Sequence, residues 1–256
     1  MASIRIVSWN ISAGREAKSL EQFDYLTENL SYFTSKIKET HADVVCLQEV
    51  HFNSKRSQAR EIAQELGLKS IFESPRSPSH INKDYLMENA ILTELEILQH
   101  KTYQYPYPKF PLVFADGRPA AIHNQNLQVA MLPEFNVANT QLLPLGLFGY
   151  NYFQGLGREF GAKFEQTLKV LKTPLLLCGD FSGDFENDKV ELVFNKVFPK
   201  LGLKDALPEV VTRPTNDGKK HKNDHIFYSK DFIFRDARVI PTNTDHYLCV
   251  ADFDYQ

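Results

Sequence analysis

Short apolar runs along the whole chain end on an acid, an amide or a histidine. They are Ser8-Trp9-Asn10, Leu47-Gln48-Glu49, Asn89-Ala90-Ile91-Leu92, Asn139-Thr140-Gln141, Gly179-Asp180-Phe181-Ser182 with Asn223-Asp224-His225, and Thr244-Asp245-His246. A fold that satisfies this pattern must bring strands far apart in sequence to one shared sheet edge, where their polar ends converge.

The stretches between these segments fit such a sheet. Ile4 to Trp9 reads as a strand. Leu20, Phe23, Leu30, Phe33 and Ile37 then recur at helical spacing before the apolar strand Asp43 to Leu47. Ala59, Ile62, Ala63 and Leu66 predict a second helix that stops at Gly67. From about Leu86 to Thr140 short strands and loops alternate, including a proline-rich stretch from Tyr105 to Pro111, and this reads as antiparallel sheet. A helix through Phe160, Phe164, Leu168 and Leu171, broken before Pro174, then leads into the strand Pro174 to Cys178, which repeats the opening pattern. A helix around Val190 to Val197, a polar loop from Thr212 to Asn223 and strands near Ile226–Tyr228, Phe232–Ile240 and Tyr247–Phe253 complete the reading. Two sheets flanked by helices, in one domain over residues 1–256, is the simplest assembly, since no linker, low-complexity tract or short-period repeat interrupts the chain.

A chain of 256 residues with 43% hydrophobic residues can bury one large core. Its net charge of −3 supplies no overall basic field, so a polyanion would have to meet a local patch. Cys46, Cys178 and Cys249 each lie inside an apolar run and are expected as buried thiols. With no signal-peptide pattern and no apolar run of about 18 residues, the expectation is a cytoplasmic protein without membrane insertion.

Hard oxygen ligands (Glu49, Asp180, Asp245), a histidine and several amides on one edge are what magnesium-assisted attack on a phosphate requires. In this order and spacing, Trp9-Asn10, Leu47-Gln48-Glu49, Asn89-Ala90-Ile91-Leu92, Asn139-Thr140-Gln141-Leu142, Gly179-Asp180-Phe181-Ser182, Asp224-His225-Ile226-Phe227 and Thr244-Asp245-His246 resemble the endonuclease/exonuclease/phosphatase superfamily of deoxyribonuclease-like metal-dependent phosphoesterases. The resemblance spans nearly the whole chain. It implies an α/β (α+β) fold, a four-layer α/β/β/α sandwich of two mixed, mainly antiparallel sheets flanked by helices. It also implies a hydrolase that uses Mg2+, with Mn2+ as a substitute, for direct in-line attack by water.

Carried over by position, the resemblance makes Glu49, Asn10 and Asp245 the metal site. Asp180 becomes the group that orients or deprotonates water, His246 the phosphate contact, and Asp224 the carboxylate that fixes the imidazole. Gln141 stands where many phosphodiesterases carry histidine, and Ser182 where they carry asparagine, so both are weaker contacts within the catalytic set. Candidate substrate contacts are Arg15, Asn89 and the basic loop Lys219, Lys220 and Lys222 leading to Asp224. His221 and His225, four apart on a loop entering a strand, do not make a zinc site, and Gly155, Gly157 and Gly161 read as a helix start. The favoured expectation is a monomeric phosphodiesterase acting on nucleic acid. The alternatives are a phosphatase or phospholipase C-type diesterase on inositol phosphates or phospholipids, and a weak or silent binding protein on the same fold.

Overall fold

The computed structural model describes residues 1–17, 27–120, 124–182, 201–207, 209–214 and 220–256. In chain order the elements are Ala2–Asn10 (β1), Leu30–Thr40 (α1), Val44–Phe52 (β2), Gln58–Leu66 (α2), Ser70–Pro78 (β3), Leu86–Thr93 (β4), Gln99–Gln104 (β5), Asn126–Met131 (β6), Asn136–Gln141 (β7), Gly157–Leu168 (α3), Leu175–Asp180 (β8), Lys204–Asp205 (β9), Arg213–Pro214 (β10), Lys220–His221 (β11), Asp224–Tyr228 (β12), Ile233–Ile240 (β13) and Leu248–Tyr255 (β14). They form two six-stranded sheets, ordered β13-β14-β1-β2-β4-β3 and β5-β6-β7-β8-β12-β9, and a small β10-β11 ribbon. In each large sheet one pair is parallel, β1 with β2 and β7 with β8, and the other pairs are antiparallel.

Period-two burial explains the layers. Ile4 and Ile6 of β1, Val44 and Cys46 of β2, and Leu176 and Cys178 of β8 face the core between the sheets. The alternate residues Val7, Trp9, Val45 and Leu47 pack with Phe33, Ile37 and Ile62 of α1 and α2, while Leu175 and Leu177 pack with Phe160 and Phe164 of α3. Strands covered on both faces read as unbroken apolar runs rather than alternating ones. Trp9 is wholly buried, with its ring 4.7 Å from Phe33 and its indole N–H donating to the His246 carbonyl at 2.9 Å. Truncating such an anchor costs about 3–5 kcal/mol.

The helices follow their end signals. Asn29 caps α1 by accepting from the Tyr32 N–H, and Ser57 caps α2 by accepting from the Arg60 N–H. Helix α2 stops at Gly67, as its spacing predicts. Gly157 and Gly161 need no phosphate to explain them. A Cβ on either would lie 2.1 Å and 2.0 Å from the carbonyl oxygens of Asn151 and Tyr152, so only glycine lets α3 close onto the turn that feeds it. All three cysteines are buried and free.

Three expectations need correction, and a fourth, the antiparallel stretch, holds and is extended. β2 does not end at Glu49 but continues to Phe52 through a register shift between Leu47 and Val50. Asn89 is not at a strand end, because it lies inside β4. The polar segment from Thr212 to Asn223 is not all loop, since it carries the β10-β11 ribbon. The antiparallel stretch from Leu86 to Thr140 serves both sheets, β4 joining the first and β5, β6 and β7 the second. Leu20, Phe23 and the helix expected at Val190–Val197 lie outside the described residues.

Candidate active site

The two parallel pairs end at the same place. β1 delivers Asn10 in register with Gln48 of β2, and β7 delivers Gln141 in register with Asp180 of β8. The Asn10 amide donates to Glu49 Oε1 at 3.1 Å and to Asp180 Oδ2 at 3.2 Å. Gln141 Nε2 donates to the same two oxygens, at 2.6 Å and 3.3 Å. Each sheet thus contributes one amide and one carboxylate, and each amide braces both acids. Glu49 reaches this position because the irregularity in β2 places it at φ 54°, a left-handed conformation that costs a non-glycine residue on the order of 1–3 kcal/mol.

A third group closes the cluster. His246 Nδ1 lies 2.9 Å and 3.1 Å from the two oxygens of Asp224, and its Nε2 lies 3.8 Å from Asp180 Oδ2. Asp224 is wholly buried at the start of β12, where the Thr212 hydroxyl accepts from the N–H groups of Asn223 and Asp224, both at 2.9 Å. The His246 carbonyl accepts from Trp9, Thr242 and Thr244, so the ring hangs from a fixed backbone. Asp245 accepts from the Ser12 hydroxyl at 2.6 Å and, like Glu49, lines the cavity.

The surroundings push the ionisable groups apart. Burial would raise the Glu49 carboxyl, but His80, the Gln141 and Asn10 amides and Arg76 more than reverse this and hold it down at about 2. Asp180 is pushed up, chiefly by burial and further by Asp224, against the opposing pull of His246. Burial would lower the His246 imidazole, yet Asp224 and Asp180 raise it to about 10. At neutral pH the cluster therefore holds a committed anion, a more basic carboxylate and an imidazolium.

These groups open into a cavity of about 500 Å³ whose described lining includes Ser12, Glu49, His80, Gln141, Asp180, Ser182, Arg213, Asp245 and His246. The donor set suits a hard cation. Glu49 and Asp245 supply carboxylate oxygens, and Gln141 Oε1 is buried with no hydrogen-bond partner. Asn10 Oδ1 accepts from the Ser12 N–H, and its amide braces the acids. Asp180, Asp224 and His246 also lie close enough to share an ion.

Other candidates are held in contacts of their own. Ser182 lines the cavity, yet its hydroxyl donates to the Leu142 carbonyl at 3.0 Å, while its N–H donates to Asp180 Oδ1 at 2.8 Å. Lys222 does not face the cavity lining: its ammonium lies 2.7 Å from Asp205 and 3.2 Å from the Leu207 carbonyl. Asn89 is buried and donates to Asn126, and Arg15 pairs through its backbone with Glu28, neither of them among the described lining residues. Lys220 belongs to β11, and Lys219 lies outside the described residues.

Sequence reasoning missed Arg76 and His80, which come from β3 and the turn beyond it. Arg76 donates to Gln125, retains a buried Nε without an acceptor, and is lowered by burial to about 10 despite Glu49, Asp180 and Glu88, so it stays charged at neutral pH. A lone arginine among the serines and prolines of β3 carries no periodic signal.

The profile of the Endonuclease/Exonuclease/phosphatase family matches residues 7–246. Comparison with curated proteins finds no match. Among solved structures, an endonuclease/exonuclease/phosphatase from Beutenbergia cavernae is similar at TM-score 0.73 and 15% identity, over 100% of this chain and 72% of that one. A 3′ phosphatase from Neisseria bound to a product DNA hairpin gives 0.62 and 17%, over 98% of this chain and all of that one. A mannosyl-6-phosphatase from Bacteroides thetaiotaomicron gives 0.60 and 15%, with the same two coverages, 98% and 100%.

Proposed function

The chain belongs to the endonuclease/exonuclease/phosphatase family of phosphoester hydrolases, and we propose that it is a Mg2+-dependent phosphodiester hydrolase acting on nucleic acid by in-line attack of water. The observation that carries this reading is the crossed bracing of Glu49 and Asp180 by Asn10 and Gln141, with the two acids driven to opposite proton affinities. Pairs of titratable groups separated in this way mark acid-base roles.

Glu49, Asp245 and Gln141 Oε1 would hold the magnesium ion, with Mn2+ as a substitute, and the ion would supply charge stabilisation for phosphate oxygens. Asp180 takes a proton from water as its oxygen bonds to phosphorus. Its raised affinity makes it a stronger base than an exposed aspartate. The His246 imidazolium, kept charged by Asp224 and Asp180, donates Nε2–H toward the phosphate, and the ester oxygen departs on the far side from the water. The Neisseria relative, a 3′ phosphatase with DNA product, supports a nucleic-acid substrate.

A smaller phosphoester is the second reading. It is favoured by the limited cavity volume and by Lys222 being held in an ion pair with Asp205 rather than at the cavity, and the mannosyl-6-phosphatase relative is consistent with it. The deciding experiment is cleavage of end-labelled single-stranded, duplex and abasic-site oligonucleotides with magnesium or chelator, beside Glu49→Ala. Cutting that needs magnesium and vanishes in the variant supports the nuclease. Turnover of small phosphomonoesters alone replaces it with the second reading.

A further inference from the structure

The cavity that holds the carboxylates has a second, apolar side made of Phe114, Ala120, Leu143, Pro144, Leu147 and Phe148. Two of these are left in solvent, Leu147 at 56% exposure and Phe114 at 37%. Exposed apolar side chains are ordinary singly, but a contiguous group beside charged acids marks a surface meant to be covered.

The wall is built rather than incidental. Phe114 and Phe148 stand with ring centroids 5.2 Å apart at 55°. The chain around Phe114 is a tight turn, with the Phe114 N–H donating to the Arg118 carbonyl and the Gly117 N–H donating back to the Phe114 carbonyl, both at 2.9 Å. The Arg118 guanidinium lies over the Phe114 ring at 5.7 Å. Phe148 ends the short 3-10 turn Leu145–Phe148 and packs on the core under α3. Two rings from separate segments are thus held at the cavity before any ligand arrives.

We propose that this wall seats a planar ring carried by the ester, so that the site selects a phosphoester with one nucleobase-type ring over one with a bare sugar or an alkyl chain. The inference rests on the phosphoesterase reading and narrows its substrate class. A ring stacks on phenyl faces, and Gln125 and Asn223 in the same lining offer hydrogen bonds to its polar edge, which an alkyl chain would leave unmatched. The cavity volume of about 500 Å³ is that of a single small-molecule site. A free nucleotide and the terminal nucleotide of a strand present the same chemistry.

The test compares adenosine monophosphate, ribose 5-phosphate, dodecyl phosphate and an end-labelled trinucleotide as substrates of the full chain with magnesium. Binding of the first three in chelator is measured alongside by calorimetry. Base stacking on aromatic side chains corresponds to a preference of roughly 5- to 150-fold for adenosine monophosphate over ribose 5-phosphate, in kcat/KM and in affinity. In Phe114→Ala that ratio falls toward one, and Leu147→Ser, a milder change at an exposed position, lowers it partway. A trinucleotide cleaved better than the monophosphate identifies the strand end as the source of the ring, and the reverse identifies the free nucleotide. A ratio near one in the parent protein, a ratio that survives Phe114→Ala, or a preference for dodecyl phosphate overturns the inference. If no ester is hydrolysed, the phosphoesterase reading fails by itself, and the binding ratio still decides whether the wall holds a ring.

Discussion

The two parallel units, β1-α1-β2 and β7-α3-β8, present the same arrangement to opposite sides of one cluster, an amide from the first strand and a carboxylate from the second. Their chemistry nevertheless diverges. Glu49 stands on a strand that bulges and runs on to Phe52, beside His80 and Arg76, and is held as an anion down to about pH 2. Asp180 ends its strand, buried and close to Asp224, and binds its proton more tightly than usual. Matching backbone positions give one carboxylate suited to a cation and one suited to a proton. The neighbours outside each unit set the difference.

The sharpest way to break this division is Asp180→Asn, which keeps the shape but removes the base, its one oxygen accepting either from the Asn10 and Gln141 amides or from the Ser182 N–H. Turnover should fall by about 10²–10⁴-fold, with magnesium affinity, measured by calorimetry, little changed. Lost metal binding would place Asp180 with Glu49 in one ligand set. Glu49→Ala should do the opposite and remove magnesium binding and activity together. The loss of several kcal/mol of charge stabilisation corresponds to roughly 10³-fold in rate. Full magnesium affinity in that variant would end the assignment.

Asp224→Asn tests the second unit's outer neighbour, and the expected loss is smaller, about 10- to 100-fold. The imidazole is raised to about 10 partly by the charge of Asp224. Its amide replacement should therefore move the alkaline fall of kcat/KM to lower pH. An unmoved limb would mean that His246 is not the group whose deprotonation ends activity.

Much of this comparison was legible in the sequence. Both strand-helix-strand patterns and the polar residues Asn10, Glu49, Gln141, Asp180, Asp224, Asp245 and His246 beside apolar runs are local signals, although β2 runs on past Glu49 to Phe52. What was hidden is whatever depends on a partner distant in the chain. Lys222 looks like a free basic residue until β9 brings Asp205 to 2.7 Å. Ser182 looks like a donor to substrate until its hydroxyl meets the Leu142 carbonyl. The bulge that turns Glu49 inward leaves no mark in Leu47-Gln48-Glu49, because no glycine announces its positive φ.

Glu88 on β4 supplies the finest test of the idea that neighbours, not position, set these acids. It is as deeply buried as any residue at the cluster, and neither of its oxygens has a hydrogen-bond partner. Burial first, and then Glu73, raise it from 4.5 to about 9, the reverse of Glu49 on the adjoining strand. Between these two values the folded protein keeps a proton that the unfolded chain has released, so stability must fall as pH rises through that window, by up to about 1.4 kcal/mol per pH unit. Glu88→Gln cannot ionise and should flatten the dependence, leaving the urea midpoints at pH 5 and pH 8 closer together than in the parent protein, with turnover retained. If the two proteins lose the same stability over that range, Glu88 is ionised and paired in the fold. An amide cradle would then not be what separates Glu49 from its neighbour.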